Sequence, residues 1–211
     1  MSGPSSTSSD RISRIVNAAL EVFSERTFDD AGTDEIARRA HVSKRDIYAN
    51  FPDKHALLSA VIKAVLQADD ENFSNVISHT ADSAALRERL EIIGLALINE
   101  VLSPATSFVA RLISSESIRQ PQIGAIYFDG WYGRRCEAIS KVLSLHVANR
   151  KSRVRKFADT NQAARHYAAL VVHLPQLTAT VGLREIWNPK KVQTHVEEAV
   201  RCFLAAYPAL A

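Results

Sequence analysis

The sequence predicts an all-α protein built in two parts. Apolar residues recur three and four positions apart along most of the chain, which is the spacing of one face of an α-helix. Only 7 glycines and 7 prolines occur among 211 residues, which is few for a sheet protein with many tight turns. We find no convincing strand. The patterns predict about nine helices: three in a small N-terminal unit, and the rest in a larger body.

The composition is that of an ordinary globular protein. Apolar residues make up 46% and charged residues 23%, and the net charge of +3 is too small to indicate a polyanionic partner by itself. Cys136 and Cys202 are too few for a disulfide framework and favour a reducing compartment. Residues 1–10 lack the apolar core of a secretory signal, so we expect a disordered tail. No apolar run is long enough to span a bilayer, so we expect a cytoplasmic protein without a membrane partner.

The first predicted helix covers residues 11–26, with Asp10 as a candidate N-cap. One face of this helix carries an apolar stripe at helical spacing: Ile12, Ile15, Val16, Ala19, Leu20 and Phe23. Such a face must pack against further helices, and the next segments supply them.

Residues 33–54 are predicted to form two short helices joined by a tight turn. Thr33 and Ser43 are candidate N-caps, because their hydroxyls can accept from the free N–H groups at a helix start. Pro52 ends the second helix, since it lacks an N–H and disfavours helical geometry in the residue before it. Two short helices with a tight turn, the second one polar and basic, are typical of a helix-turn-helix unit.

The body follows without a flexible linker. Its predicted helices cover residues 54–79, 83–102, 104–119, 121–147, 159–183 and 189–207. Residues 149–156 form a basic loop, which we interpret as solvated. The helix 159–183 has no charge between Arg165 and Arg184, which favours burial at a twofold interface with the last helix. We therefore divide the chain into a tail (1–10), a helix-turn-helix domain (11–55) and a helical body with a dimerisation surface (56–211).

The helix-turn-helix residues suggest two roles at double-stranded DNA. Short or rigid donors at helix ends suit phosphate contacts that set the register: Thr33, Ser43, Tyr48 and Lys54. Lys44, Arg45 and Asn50 suit base edges in the major groove, and Ala49 suits a thymine methyl group. Between residues 11 and 55 the 8 basic and 8 acidic residues balance. We expect the acids to lie apart from the recognition segment, so that one positive face remains.

The body offers candidates for a small-molecule pocket, because apolar walls with few polar groups are typical of such sites. They are Phe108, Arg111, Tyr127, Phe128, Trp131 and His173. For each of them ordinary core packing is the competing interpretation. We expect Trp131, Arg111 and His173 to be buried with polar partners. The sequence contains no metal or cofactor motif and no nucleophile–base pair, so we predict neither a cofactor nor an enzyme.

Residues 15–57, IVNAALEVFSERTFDDAGTDEIARRAHVSKRDIYANFPDKHAL, resemble the DNA-binding region of TetR-family transcriptional regulators. The segment RLISSESIRQPQI (111–123) and the aromatic helix after it resemble, more loosely, an AefR-type C-terminal domain. The resemblance implies a homodimer through the last two helices, a ligand pocket in the body, and an operator released when ligand binds. Thr27 stands where the family usually has glycine, while Arg45 and Asp46 replace small or neutral residues. We expect Asp46 to repel phosphate unless it pairs with Arg45 or with a cytosine amino group.

Three functions compete at this point. The first is a dimeric repressor that binds a pseudo-palindromic operator in the nucleoid and releases the operator when a hydrophobic or aromatic effector binds. The second is a TetR-like ligand-binding or interaction module with weak or lost operator recognition, which the neutral charge balance favours. The third is an all-α enzyme, for which the chain offers no catalytic constellation.

Overall fold

The computed structural model describes residues 8–80, 85–149, 159–208 and 210, and over these ranges every regular element is helical. The α-helices are α1 (Ser8–Glu25), α2 (Thr33–Ala40), α3 (Lys44–Asn50), α4 (Lys54–His79), α5 (Leu86–Val101), α6 (Pro104–Glu116), α7 (Pro121–Tyr127), α8 (Arg134–Asn149), α9 (Thr160–Thr180) and α10 (Pro189–Ala206). A π-helical turn (Phe128–Gly133) joins α7 to α8, and a 3₁₀ turn (Arg184–Ile186) precedes α10. Residues 1–7 and 150–156 of the predicted tail and basic loop lie outside the described residues.

The predicted all-α class is confirmed, and three predictions at helix starts are wrong. Helix α1 already begins at Ser8, so residues 8–10 are helical rather than part of a tail, and Asp10 lies inside the first turn. Gly32, not Thr33, is the N-cap of α2, and no side chain caps that helix. Ser43 does cap α3.

The N-terminal unit packs α1, α2, α3 and the start of α4 around a shared apolar core. Ile15, Ile36 and Ile47 come from α1, α2 and α3 in turn and are completely or almost completely buried. The turn between α2 and α3 is closed by His41, which has the left-handed φ of 53°. Its N–H and that of Val42 bind carbonyls of the last turn of α2, so the turn keeps the geometry in which glycine is common, without a glycine.

The body is organised around α5, which packs against α4, α6, α9 and α10. At Gly94 the three helices α5, α9 and α10 approach closely: a Cβ atom there would lie 2.8 Å from the Tyr167 hydroxyl and 2.9 Å from a Val196 methyl. The Tyr167 hydroxyl donates to the Leu90 carbonyl at 2.5 Å. The outer edge of α5, including Ile92, stays exposed.

The predicted helix 121–147 is present, with the π-helical turn inside it. This turn contains one residue more per turn than an α-helix, and it therefore changes which side chains face the core. Trp131 points inward and Phe128 outward as a result. No single helix in the described part of the chain is long and apolar enough to cross a membrane; α5 and α6 reach that length and composition only as a pair bent by 65°.

Candidate nucleic-acid interface

The start of α3 is held by a reciprocal capping box. The Ser43 hydroxyl accepts from the Asp46 N–H at 3.1 Å, and the Asp46 carboxylate accepts from the Ser43 N–H at 2.9 Å and from its hydroxyl at 2.5 Å. Arg11 adds an ion pair to Asp46 at 3.5 Å. The bonds from Ser43 are the main reason why the pKa of Asp46 lies below its usual range. Asp46 is therefore bonded to Ser43 and paired with Arg11, while Arg45 acts on it only through a weaker charge interaction. The one hydroxyl proton of Ser43 is used inside the box.

The outward face of α3 exposes Lys44, Arg45, Tyr48, Ala49 and Asn50. Lys44 lies 3.0 Å from Asp34 of α2, and this contact raises the pKa of the lysine. The Asn50 amide donates to the Asp46 carbonyl at 2.8 Å, which leaves its side-chain oxygen open. Arg45 forms no hydrogen bond or ion pair with any residue that the structure describes. Its guanidinium is thus the recognition-helix cation that is open to a partner.

Two hydroxyls from different helices meet beside this face. Thr33 is the first residue of α2, and its hydroxyl lies 3.5 Å from that of Tyr48 on α3. The free N–H groups at the start of α2 lie in the same turn as Thr33, and such groups favour an anion. The two hydroxyls and this helix start together offer donors to one phosphate.

Lys54, at the start of α4, is engaged inside the domain. Its ammonium donates to the Ala31 carbonyl at 2.9 Å and to the Asp29 carbonyl at 3.2 Å, and it lies 4.6 Å from the centre of the Phe28 ring. Two of its three protons therefore tie α4 to the loop before α2, and one remains for a phosphate.

The acidic residues of the domain are only partly separated from the recognition segment. Arg39 of α2 binds Glu25 of α1 at 2.6 Å and Glu35 at 2.8 Å. Arg38 also binds Glu35, and hydrogen bonds from Arg38 and then Arg39 lower the pKa of that carboxyl to about 2. These pairs neutralise part of the acid, but Asp34 reaches Lys44 at the recognition helix. The expected separation of charges is therefore wrong at Asp34, because the start of α2 lies beside α3.

The predicted pocket residues do not converge on one cavity. Phe108 and Arg111 line a cleft of about 530 Å³ between α6 and the end of α1. Tyr127 and His173 line a separate cavity of about 250 Å³ between α6, α7 and α9. Phe128 is 60% exposed and lines neither. Arg111 and His173 are exposed rather than buried, so of the three polar side chains expected in the interior only the Trp131 indole lies there.

The interior of the body contains a charged network that the sequence interpretation missed. Arg135 of α8 is 1% exposed and donates to both carboxylate oxygens of Glu100 on α5, at 3.0 and 3.1 Å. The Trp131 indole also donates to Glu100, at 3.1 Å, and Asp70 of α4 binds both Arg134 and Arg135. Burial raises the pKa of Glu100 to about 7. The available signal was spacing: Glu100 continues the stripe of Ile93 and Leu97.

A stripe of exposed apolar residues runs along α9. Leu170, Leu174, Leu177 and Val181 are all exposed and are spaced by four, three and four positions, which is the repeat of a helix-packing seam. Beside this stripe, and sharing Leu170 with it, lies a groove of about 650 Å³ between α9 and α10, lined in part by Phe203 and Ala206. The last two helices therefore present an apolar surface that the described part of the chain leaves uncovered.

Among the described residues, no three His, Cys, Asp or Glu side chains form a group that could hold a metal ion. His166, one of the two histidines spaced by seven on α9, is instead bonded to the Tyr207 hydroxyl and to Gln162.

Comparisons with known proteins agree with this architecture. A family model described as bacterial regulatory proteins of the tetR family matches residues 15–61. A second, described as the C-terminal domain of AefR-like transcriptional repressors, matches residues 88–209. The HTH-type transcriptional activator FasR of Mycolicibacterium smegmatis is 31% identical over 117 residues, covering 55% of this chain and 51% of that protein. The match thus spans about half the length of this relative.

Solved structures extend the similarity to nearly the whole chain. A putative TetR-family transcriptional regulator from Mesorhizobium loti superposes with a TM-score of 0.87 at 21% identity, covering 96% of this chain and 98% of that one. The flavonoid-responsive regulator FrrA superposes with a TM-score of 0.70 at 25% identity, covering 93% and 96%. Since the AefR-like model alone matches more than half of the residues, this chain belongs to the TetR family of bacterial transcriptional regulators.

Proposed function

We propose that this protein is a dimeric repressor that binds a pseudo-palindromic operator and is released from it by a small-molecule effector. The outward face of α3 carries the proposal, because Arg45 forms no hydrogen bond or ion pair with the described residues there and Thr33 and Tyr48 lie side by side. Repression, rather than activation, is favoured by the match to AefR-like repressors over residues 88–209. A protein that reads chromosomal DNA in this way would work in the cytoplasm, at the nucleoid.

Within the interface we assign Arg45 to base reading, because an unpaired guanidinium can bind both acceptors of a guanine edge. Thr33 and Tyr48 hold a phosphate, and Asn50 and Ala49 offer an amide oxygen and a methyl contact. Lys44 reaches DNA only if it exchanges Asp34 for a base or phosphate. Ser43 acts indirectly, by fixing the start of α3, and Lys54 contributes the one proton that its two carbonyl bonds leave free.

Dimerisation rests on the seam along α9. The four exposed apolar side chains of the seam lie at coiled-coil spacing, and their exposure to water is unfavourable. Packing of this helix against the same helix of a second copy would bury them. Helix α10 packs beside α9 and would complete a four-helix interface. Two recognition helices related by a twofold axis then meet half-sites about 10 bp, or a multiple of that, apart.

The experiment that tests the proposed function is selection of the purified protein on a random DNA pool, followed by titration of the selected sequence. We expect a pseudo-palindrome whose affinity falls steeply with salt and exceeds that of random DNA by about a thousandfold or more. Enrichment of no sequence, with equal binding to all DNA, would contradict the proposal.

The second candidate, a ligand-binding module without operator recognition, is supported by one observation. The cation of Lys44 is already neutralised by Asp34, so the recognition helix offers less free charge than its sequence suggests. Under this alternative the protein would bind an effector and show no enrichment of any sequence.

For the effector we propose a hydrophobic or aromatic compound. FrrA, a neighbour of the same fold, is described as flavonoid-responsive, and the body contains several clefts of a size that suits such molecules. Thermal stabilisation by a compound library, measured together with release of the selected DNA, would identify it. A compound that stabilises the protein without changing DNA affinity binds both states equally and is no effector.

A further inference from the structure

A cleft between α4 and α5 combines an apolar wall with a polar end. It has a volume of about 480 Å³, within the range of sites for small organic molecules. Phe73, Val76 and Leu95 contribute to the wall. Two carboxylates and two amides form the polar end: Asp69, Glu100, Asn72 and Asn99. Among the residues that the structure describes, no lysine, arginine or histidine lines this cleft.

The polar end borders a network of acidic and basic side chains. Arg135 binds Glu100 and Asp70, and Arg134 binds Asp70. No residue within the described ranges forms an ion pair with Asp69. Asp69 is therefore the carboxyl group of this network that no arginine binds.

Asp69 is held in position by neutral donors. The Thr106 hydroxyl donates to it at 2.9 Å, and the Ser103 hydroxyl donates to that of Thr106 at 2.8 Å. Burial raises the pKa of Asp69, and the charge of Asp70 adds to this effect, while the Thr106 hydrogen bond and the charge of Arg135 oppose it. A carboxylate that is fixed, half-buried and without an ion pair among the described residues favours a positively charged ligand group over a neutral or negative one.

We propose that this cleft is the effector site and that it takes an organic cation, an amine on a compact apolar body. The ammonium binds Asp69 and the amides of Asn72 and Asn99, and the apolar part lies against Phe73 and Leu95. The effector role rests on the proposed function, since it requires that the protein binds operator DNA. Helix α4 is the physical link: it carries Asp69 and runs unbroken for about 22 Å to Lys54, which binds the DNA-binding domain.

The test uses three probes with the same phenylbutyl body: 4-phenylbutylamine, 4-phenylbutan-1-ol and 4-phenylbutyrate. Calorimetric titration of the full chain is expected to give at least tenfold tighter binding of the amine than of the alcohol, and the weakest binding for the carboxylate. Asp69→Asn keeps an acceptor for Thr106 and is expected to abolish the preference for the amine. The control Asp129→Asn, in the neighbouring cleft between α4 and the π-helical turn, is expected to keep it.

Equal binding of amine and alcohol by the wild-type chain, or an undiminished amine preference in Asp69→Asn, would overturn the cationic site. The effector role is measured separately, by titrating the amine into the complex with selected DNA. Release that depends on Asp69 supports the role, and binding of the amine with unchanged DNA affinity refutes it. If the protein selects no DNA sequence, the proposed function fails, and the calorimetric comparison still decides on the cleft.

Discussion

The DNA-binding domain and the body use arginine in opposite environments. In the first, Arg39 and Arg38 bind carboxylates at the surface, and Arg45 stays open to solvent. In the second, Arg135 is enclosed with Glu100 and Asp70. Ion pairs at the surface contribute little to stability, so an arginine there can exchange its carboxylate for a DNA phosphate at a small cost in free energy. A buried pair leaves an uncompensated charge when one partner is lost. The recognition surface is therefore adaptable, while the arrangement of α4, α5 and α8 is fixed.

The largest expected effect comes from breaking the buried network. Arg135→Ala leaves Glu100 and Asp70 without their shared cation, which should lower the free energy of unfolding by about 3–5 kcal/mol. Arg134→Ala, next to it but exposed, should cost about 1 kcal/mol or less. Urea denaturation of both variants measures the difference. Similar losses for the two arginines would show that burial is not what distinguishes them.

Charge on the seam of α9 should break the dimer. Leu174 is 48% exposed in the single chain. The variant Leu174→Glu would place one carboxylate from each subunit in the twofold interface. We expect dimerisation at least a hundredfold weaker, about 2.8 kcal/mol, in sedimentation equilibrium. Leu145→Glu on α8, at a residue that is 58% exposed, is the matched control and should remain dimeric. A dimer that survives Leu174→Glu would place the interface elsewhere.

The buried carboxyl should make stability depend on pH. Burial raises the pKa of Glu100 from 4.5 to about 7, so between these pH values the folded protein binds more protons than the unfolded one. Stability from this group is present at low pH and is lost as the pH rises through 7, by about 1–3 kcal/mol. Glu100→Gln should remove this slope in denaturation at pH 5 to 8. Glu88→Gln, exposed on the same helix, should retain it; an unchanged slope in Glu100→Gln would assign the titration to another group.

These contrasts also show which parts of the structure are accessible from sequence. Helix ends are local, so Ser43 at α3 and the Asn188–Pro189 start of α10 could be identified from the residues themselves. Phe128, a predicted pocket residue, is 60% exposed, because a π-helical turn changes the facing of the side chains without an obvious signal in the sequence. The bonds of Lys54 to the carbonyls of residues 29 and 31 depend on chain folding over more than 20 positions, which periodicity does not predict.

The smallest expected effect concerns the capping box that orders the recognition helix. Ser43→Ala removes the hydroxyl that bonds Asp46 twice, which should lower stability by about 1 kcal/mol. Ser13→Ala, at an exposed position of α1, should have no measurable effect. Chemical denaturation compares the two. If Ser43→Ala were as stable as Ser13→Ala, the box would not hold the start of α3.

The role of Arg45 as the open base reader of α3 can be measured by fluorescence anisotropy on the selected operator and its single base-pair variants. Arg45→Ala should lose discrimination at one base pair of each half-site, by about 1–3 kcal/mol, while binding to random DNA changes much less. Lys44→Ala, whose cation is already paired with Asp34, should keep the discrimination at that base pair. Equal losses on operator and random DNA for Arg45→Ala would contradict the claim and reduce this residue to a phosphate contact.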